Sequence, residues 1–165
     1  MENSFQIHKI KELGEVIGGG TPSTEKSEYW GGNVPWISPV DLSIEHNVFV
    51  ASGAKNITAE GLKKSGAKML PRNTVLLTSR APIGYVAIAK NPISTNQGFK
   101  SIICNEEKID FLFLYYYLFY NKEYLECFAS GSTFPELSAS RLKGIKLKIP
   151  NDIQVQQKIG KFLFS

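Results

Sequence analysis

The chain has few of the residue types on which hydrolytic and metal-dependent enzymes depend. Its 165 residues include two histidines, His8 and His46, and two cysteines, Cys104 and Cys127. These four residues have no paired spacing, so a structural zinc site lacks a ligand set. Neither histidine lies in a recognisable nucleophile context, and we expect both to be surface or loop residues. Both cysteines have apolar neighbours, which predicts buried thiols in a reducing compartment.

Long apolar runs are also absent. The longest, Phe111–Tyr120, is shorter than the roughly 20 residues that a bilayer requires. Residues 1–11 have neither the apolar run nor the small-residue cleavage site of a secretory leader. The sequence therefore predicts a cytoplasmic protein without a membrane contact.

Three catalytic signatures are incomplete. The carboxylates Asp41, Asp110 and Asp152 are scattered, whereas a magnesium-dependent nuclease needs them clustered. Residues 91–94 (Asn-Pro-Ile-Ser) lack the second proline and the aromatic residue of an amino-methyltransferase motif. Residues 18–20 (Gly-Gly-Gly) lack the surroundings of a phosphate loop, so we interpret them as a turn with unusual backbone angles. We predict no catalytic residue, metal or cofactor in this chain.

The composition that remains is that of one folded, mildly basic domain. Hydrophobic residues make up 42% and charged residues 21%, and the net charge is +4. Residues 55–100 hold eight basic and one acidic side chain, and residues 131–165 hold six and two. Such blocks fit a nucleic-acid partner, although an ordinary solvated face also produces them.

The patterning predicts a mixed α/β fold with a twisted, mostly antiparallel sheet. Strands are expected at residues 34–37, 74–78, 85–89, 99–104 and 143–149, where β-branched and apolar residues cluster or alternate. Helices are expected at residues 11–17, 58–65, 110–120, around Tyr124, at 138–142 and from residue 153 onward. Thr58, Asp110 and either Asn151 or Asp152 are the predicted N-caps.

Polar turns beside the positive charge are the best candidates for a binding site. Arg80 follows a strand and can fork onto guanine or a phosphate, or pair with a carboxylate that holds the turn. Asn96 and Gln97 carry amides suited to adenine, but capping and turn formation explain them equally well. The hydroxyls of 130–133 can contact phosphate or simply end a helix. Trp36 is expected in the core.

Six short segments, taken together, resemble a target recognition domain of the specificity subunit of type I restriction-modification enzymes. The resemblance covers residues 10–163. The segments are Gly19-Gly20-Thr21-Pro22-Ser23, Tyr29-Trp30, Pro35-Trp36-Ile37-Ser38, Thr78-Ser79-Arg80-Ala81-Pro82-Ile83-Gly84, Thr95-Asn96-Gln97-Gly98-Phe99 and Ser130-Gly131-Ser132-Thr133.

The resemblance implies a DNA-reading domain similar to the small recognition domain of adenine-N6 DNA methyltransferases. A complete specificity subunit has two such domains, each reading half of a split DNA sequence, joined by long helices that dock methyltransferase subunits. Residues 1–150 are then one recognition domain, and residues 151–165 begin a spacer helix. The resemblance thus implies that the chain is one half of a DNA-reading subunit, and we expect it to be the product of a truncated gene, a half-sized subunit that forms a homodimer, or a fragment. The implied partners are double-stranded DNA, the methyltransferase subunit and, through it, the restriction subunit, and the family gives no catalytic residues to carry over.

We predict the following contacts. Close DNA contacts are assigned to Ser79, Arg80, Asn96, Gln97, Ser132 and Thr133. Phosphate attraction is assigned to Lys55, Lys63, Lys64, Lys68, Lys100, Lys143, Lys146 and Lys148. Residues 43–57 are an alternative location for the specificity.

A different function is also open. Ile159, Phe162 and Leu163 form an apolar stripe on the last helix and are expected to face outward. In this alternative the chain is a protein-docking module that binds a methyltransferase or a second specificity half without reading DNA.

Overall fold

The computed structural model describes residues 4–44, 46–80 and 82–165. In that part of the chain the strands are β1 (Phe5–Lys9), β2 (Gly14–Gly18), β3 (Trp30–Val34), β4 (Trp36–Ile37), β5 (Phe49–Val50), β6 (Val75–Ser79), β7 (Ile83–Ala89), β8 (Ser94–Thr95), β9 (Lys100–Cys104) and β10 (Lys146–Pro150). The helices are α1 (Ile10–Leu13), α2 (Pro39–Ile44), α3 (Ala59–Lys63), α4 (Phe111–Tyr120), α5 (Lys122–Glu126), α6 (Ala139–Gly144) and α7 (Ile153–Phe164).

The central sheet of the described residues has the strand order β2-β9-β6-β7-β5. Its pairs are antiparallel except for β5 beside β7, which is parallel. Two smaller pairs flank it, β1 antiparallel to β10 and β4 parallel to β8. The predicted mixed α/β fold with a mostly antiparallel sheet is confirmed.

Both faces of the central sheet are buried, because its side chains alternate between two apolar clusters. On β6, Val75 and Leu77 belong to the larger cluster, which α4 covers, and Leu76 belongs to the cluster around Phe99. As predicted, α4 is buried over most of its surface and begins at Asp110, whose Oδ1 accepts from the backbone N–H of Phe113 (2.8 Å).

The secondary structure near the N-terminus differs from the prediction. The helix expected over residues 11–17 ends at Leu13, and β2 follows it. The Gly14 backbone lies so close to the Ile103 carbonyl that a side chain would not fit, while the β-branched Val16 and Ile17 join the ladder with β9. The strand β1 was not predicted at all, because its partner β10 lies at the other end of the sequence.

The last helix is held against the domain along one side. Its N-cap is Asp152, whose Oδ1 accepts from the Gln154 N–H (2.8 Å), in agreement with the prediction. Gln156 is completely buried and Gly160 touches the first turn of α4. None of the helices in the described ranges has the length and apolar character needed to cross a membrane.

Candidate nucleic-acid interface

The antiparallel ladders bring distant segments to one end of the central sheet. Gly18 at the end of β2 pairs with Lys100 at the start of β9, and Ser79 at the end of β6 pairs with Ile83 at the start of β7. We call this region the motif edge and define it as residues 18–23, 79–80, 96–100 and 130–137. All six segments that carry the resemblance meet in or beside it.

Close backbone packing holds the glycine segment in place. The Gly20 N–H donates to the Thr95 carbonyl (2.9 Å), and Trp36 Nε1 donates to the Gly20 carbonyl (3.0 Å). A methyl group at Gly20 would overlap the backbone of Gly66 and Ala67. The interpretation of residues 18–20 as a turn with unusual backbone angles was therefore wrong: among the described glycines, positive φ occurs at Gly31, Gly84 and Gly131. The buried Trp36 confirms its predicted core position.

Ser79 is corrected from a DNA contact to a structural residue. Its side chain is completely buried, and its Oγ donates to the Gly98 carbonyl (3.1 Å). The Ser79 N–H donates to the same carbonyl (2.7 Å), and the Leu137 N–H donates to the Ser79 carbonyl (2.9 Å). Ser79 thus joins two of the six segments, and its bond to Leu137 holds the end of the stretch over residues 130–137.

The two amides of the motif edge differ in role. Asn96 Oδ1 accepts from the Gly98 N–H (2.7 Å), which is the turn-forming alternative considered for this residue. Gln97 is exposed, and its Oε1 accepts a hydrogen bond from the Thr21 hydroxyl. Gln97 is the amide that the fold leaves at the surface.

A cluster of three charges lies over the ends of β6 and β9. Glu136 is 3.5 Å from Arg80 Nη1 and 3.7 Å from Lys100 Nζ. The Arg80 side chain is 42% exposed, whereas that of Lys100 is 15% exposed. The carboxylate pairing considered as an alternative for Arg80 is therefore present. Exposed ion pairs contribute about 0.2–1 kcal/mol, so this pairing leaves Arg80 free to exchange its partner for another anion.

Glu136 ends a short loop that projects from the motif edge. Two backbone hydrogen bonds close the loop, Ser130 N–H to the Glu136 carbonyl (3.0 Å) and the reverse (2.9 Å). Ser132 and Thr133 are exposed on it, and Phe134 is 86% exposed. Sequence reasoning missed Glu136 and Phe134, because neither a lone acidic residue nor a lone aromatic residue has a spacing signal.

Five of the predicted lysines fall into two groups. Lys63, Lys64 and Lys68 are exposed on and after α3, and Lys68 follows Ala67, which packs on Gly20 at the motif edge. Lys146 and Lys148 are exposed on β10, which pairs with β1 rather than with the central sheet.

Lys143 lies far from the motif edge. It lines a cleft with Gly14 and Cys104, which form the opposite end of the β2–β9 ladder from Gly18 and Lys100. The lysines that were predicted to attract phosphate therefore lie on several separate parts of the fold.

The resolved pKa shifts concern residues outside the motif edge. Burial, with Asp110 and Glu106 adding to it, raises the pKa of Cys104 to about 12. Burial likewise raises the pKa of Tyr115 and of Tyr116 on α4. Cys104 is only partly exposed to solvent, whereas Cys127 is exposed, so the prediction of a buried thiol is wrong for Cys127.

No group of three or more His, Cys, Asp or Glu side chains in the described ranges is arranged to hold a metal ion. His46 is exposed, as predicted for a surface or loop residue, and His8 is half-buried.

The predicted docking stripe is divided. Ile159 packs against the larger apolar cluster, so its assignment to an outward face is corrected. Phe162 is 79% exposed and Leu163 is 37% exposed, as expected for an outward face. Gln156 and Gly160, which sequence reasoning did not select, form the inward face instead.

The chain is similar to known specificity subunits over nearly its whole length. It is 48% identical over 163 residues to the type I restriction enzyme MjaIX specificity subunit of Methanocaldococcus jannaschii, covering 96% of this chain and 37% of that protein. It is 30% identical over 171 residues to the EcoR124I/EcoR124II specificity subunit of Escherichia coli, covering 98% and 41%. The chain therefore spans about two fifths of the length of these relatives.

Solved structures show the same fold. The S subunit of a type I restriction-modification system from M. genitalium superposes with a TM-score of 0.70 at 19% identity, over 99% of this chain and 39% of that one. The HsdS subunit from Thermoanaerobacter tengcongensis gives a TM-score of 0.72 at 18% identity, over 99% and 37%. Residues 2–165 match the family described as Type I restriction modification DNA specificity domain, and the chain belongs to that family.

Proposed function

We propose that this chain recognises a short half-site in double-stranded DNA through its motif edge, as one half of a type I specificity subunit. The observation that carries the proposal is the convergence of six separated segments on one end of the sheet, with Arg80 and Lys100 above it. Their polar groups bond largely to one another, which fixes the backbone. The side chains that remain exposed then have defined positions, as base readout requires.

The exposed side chains divide into two kinds of contact. Arg80 and Gln97 are suited to base edges, because a guanidinium forks onto guanine and an amide pairs with adenine. The hydroxyls of Ser132 and Thr133, together with the exposed Lys63, Lys64 and Lys68, are suited to phosphates, and the largely buried Lys100 adds positive charge beside them. Lys143, Lys146 and Lys148 contribute only general attraction in this assignment, and Asn96 supports the Gln97 turn from within.

The chemistry belongs to partner subunits in this proposal. The chain acts in the cytoplasm as a non-catalytic reader that directs a methyltransferase subunit and, through it, a restriction subunit to the site. Residues 1–150 form the reader, and residues 151–165 begin the spacer helix, by which a second half or a second copy is joined.

A pooled-duplex selection at two salt concentrations tests the reading function. We expect enrichment of a short common sequence at both concentrations, with affinity falling steeply as salt rises, since phosphate contacts release counterions. Enrichment of no sequence, in the chain alone and with the methyltransferase subunit present, would contradict DNA reading.

The docking alternative is favoured by one observation, the exposure of Phe162 and Leu163 at the end of α7. It predicts that Leu163→Asp abolishes association with the methyltransferase subunit, and that the unchanged chain selects no DNA sequence by itself. Retained association would count against docking through these residues.

A further inference from the structure

A cleft of about 400 Å³ opens beside the motif edge, between the start of β3 and residues 54–56. Its walls are Thr24, Trp30, Gly31, Ala54, Lys55 and Asn56. The Gly31 N–H donates to the Asn56 carbonyl (3.0 Å), which joins the two walls at the base. Gly31 has a φ of 79° and no atom within 4 Å of the position of a side chain, so the cleft stays open above it. Its volume is within the range of small-ligand sites.

One polar atom in this cleft wall is unsatisfied. Asn56 Oδ1 is buried and has no hydrogen-bond partner. Most buried polar groups in folded proteins are paired, and an unpaired one lowers stability. Asn56 therefore lowers the stability of the folded domain. Residues that lower stability in this way are typical of binding sites.

The cleft is connected to the motif edge through two tryptophans. Trp30 Nε1 donates to the Ser23 carbonyl (3.1 Å), and the Trp30 ring packs edge-to-face on Trp36 at 5.2 Å. Trp36 in turn donates to Gly20. Lys55 is exposed at this cleft.

We propose that Asn56 is a specificity-determining residue that reads an exocyclic amino group of a base, with adenine as the expected base. Rotation of the side chain moves Oδ1 from its unpaired position into the cleft, where adenine N6–H donates to it and adenine N7 accepts from Nδ2. Lys55 holds the neighbouring phosphate, and the Trp30 indole forms the apolar wall. This inference rests on the proposed DNA-reading function and adds a base contact outside the motif edge.

Three single variants of the full chain test this contact: Asn56→Ala, Lys55→Ala and, as the matched control, Asn33→Ala on the exposed side of β3. Each is measured by pooled-duplex selection and by thermal unfolding. We expect Asn56→Ala to lose about tenfold or more of the preference for adenine at one position, with an unchanged or higher Tm. Lys55→Ala weakens all duplexes alike, and Asn33→Ala leaves both readouts unchanged.

The outcomes separate this inference from the function on which it rests. If Asn56→Ala instead loses a preference for cytosine at one position, the result would support reading of an exocyclic amino group and would replace adenine with cytosine as the base. Asn56→Ala with a lowered Tm and every base preference retained would assign a structural role and overturn the inference, while the proposed function stands. Absence of any sequence preference in the unchanged chain would overturn both.

Discussion

The motif edge and the last helix differ in where they place residues that look suited to binding. The motif edge pairs or buries many of its polar side chains, whereas the last helix exposes apolar ones. At the motif edge, polar side chains that look suited to DNA bond largely within the protein, and Ser79 is completely buried. On α7, the apolar Phe162 and Leu163 are partly or largely exposed, while the polar Gln156 is completely buried. Residue chemistry alone therefore does not separate scaffold from binding surface in this domain, whereas the position of each backbone relative to its neighbours does.

Gln156 shows most clearly how a polar residue fixes an element. Its Oε1 accepts from the Asp110 N–H (2.9 Å), and its Nε2 donates to the Lys108 carbonyl (3.1 Å) and the Pro150 carbonyl (2.9 Å). These partners belong to the segment before α4 and to the end of β10. One side chain thus ties α7 to two other parts of the chain.

The largest effect is expected from Gln156→Ala. It leaves three backbone groups without this partner, one of them buried and two part-buried, and a buried unpaired group costs about 1–3 kcal/mol, so we expect a loss of about 3 kcal/mol in the free energy of unfolding. Chemical denaturation measures the loss. The control is Gln157→Ala, an exposed neighbour whose change is expected to stay within about 0.5 kcal/mol. Similar losses in the free energy of unfolding for the two variants would contradict the conclusion that the inward face of α7 stabilises the domain and the outward face does not.

A smaller loss is expected from Gly20→Ala at the motif edge. The added methyl meets the backbone of Gly66 and Ala67, which cannot move aside as a flexible side chain can. Overpacking of this kind costs about 1–3 kcal/mol. Gly18→Ala is the control, since its methyl meets only the Lys100 side chain at 3.9 Å. Equal unfolding free energies for the two variants would contradict close approach as the reason for glycine.

The smallest effect concerns Glu136, which pairs with Arg80 and Lys100 and, under the proposed function, competes with DNA for them. We expect Glu136→Gln to raise affinity for any duplex about two- to fivefold, because exposed ion pairs contribute about 0.2–1 kcal/mol. Fluorescence anisotropy at low and high salt measures it, with the gain shrinking as salt rises. A lower affinity would instead mean that Glu136 positions the two cations for DNA.

Much of the fold is predictable from local sequence. The strands β6, β7 and β9, the helix α4 and the caps Thr58, Asp110 and Asp152 all follow from patterns within about ten residues. The strand β1 does not, because pairing of Phe5 with Pro150 depends on the tertiary fold.

The candidate site is predictable to a smaller extent. Arg80 and Gln97 are exposed at turns, as the sequence indicates, but the burial of Ser79 depends on its contact with Gly98 across the sheet end. The importance of Glu136 becomes visible only when Arg80 and Lys100 are brought together by β6 and β9.

The most direct test of DNA reading by the motif edge compares two single-cation variants, Arg80→Ala and Lys148→Ala, in one pooled-duplex selection. Each removes one positive charge, so general attraction falls similarly. The proposed function predicts that Arg80→Ala relaxes the preference at one base position, with a loss of about 1–3 kcal/mol for the selected duplex, while Lys148→Ala keeps the preference. An unchanged preference in Arg80→Ala, or a loss of preference in Lys148→Ala alone, would contradict it.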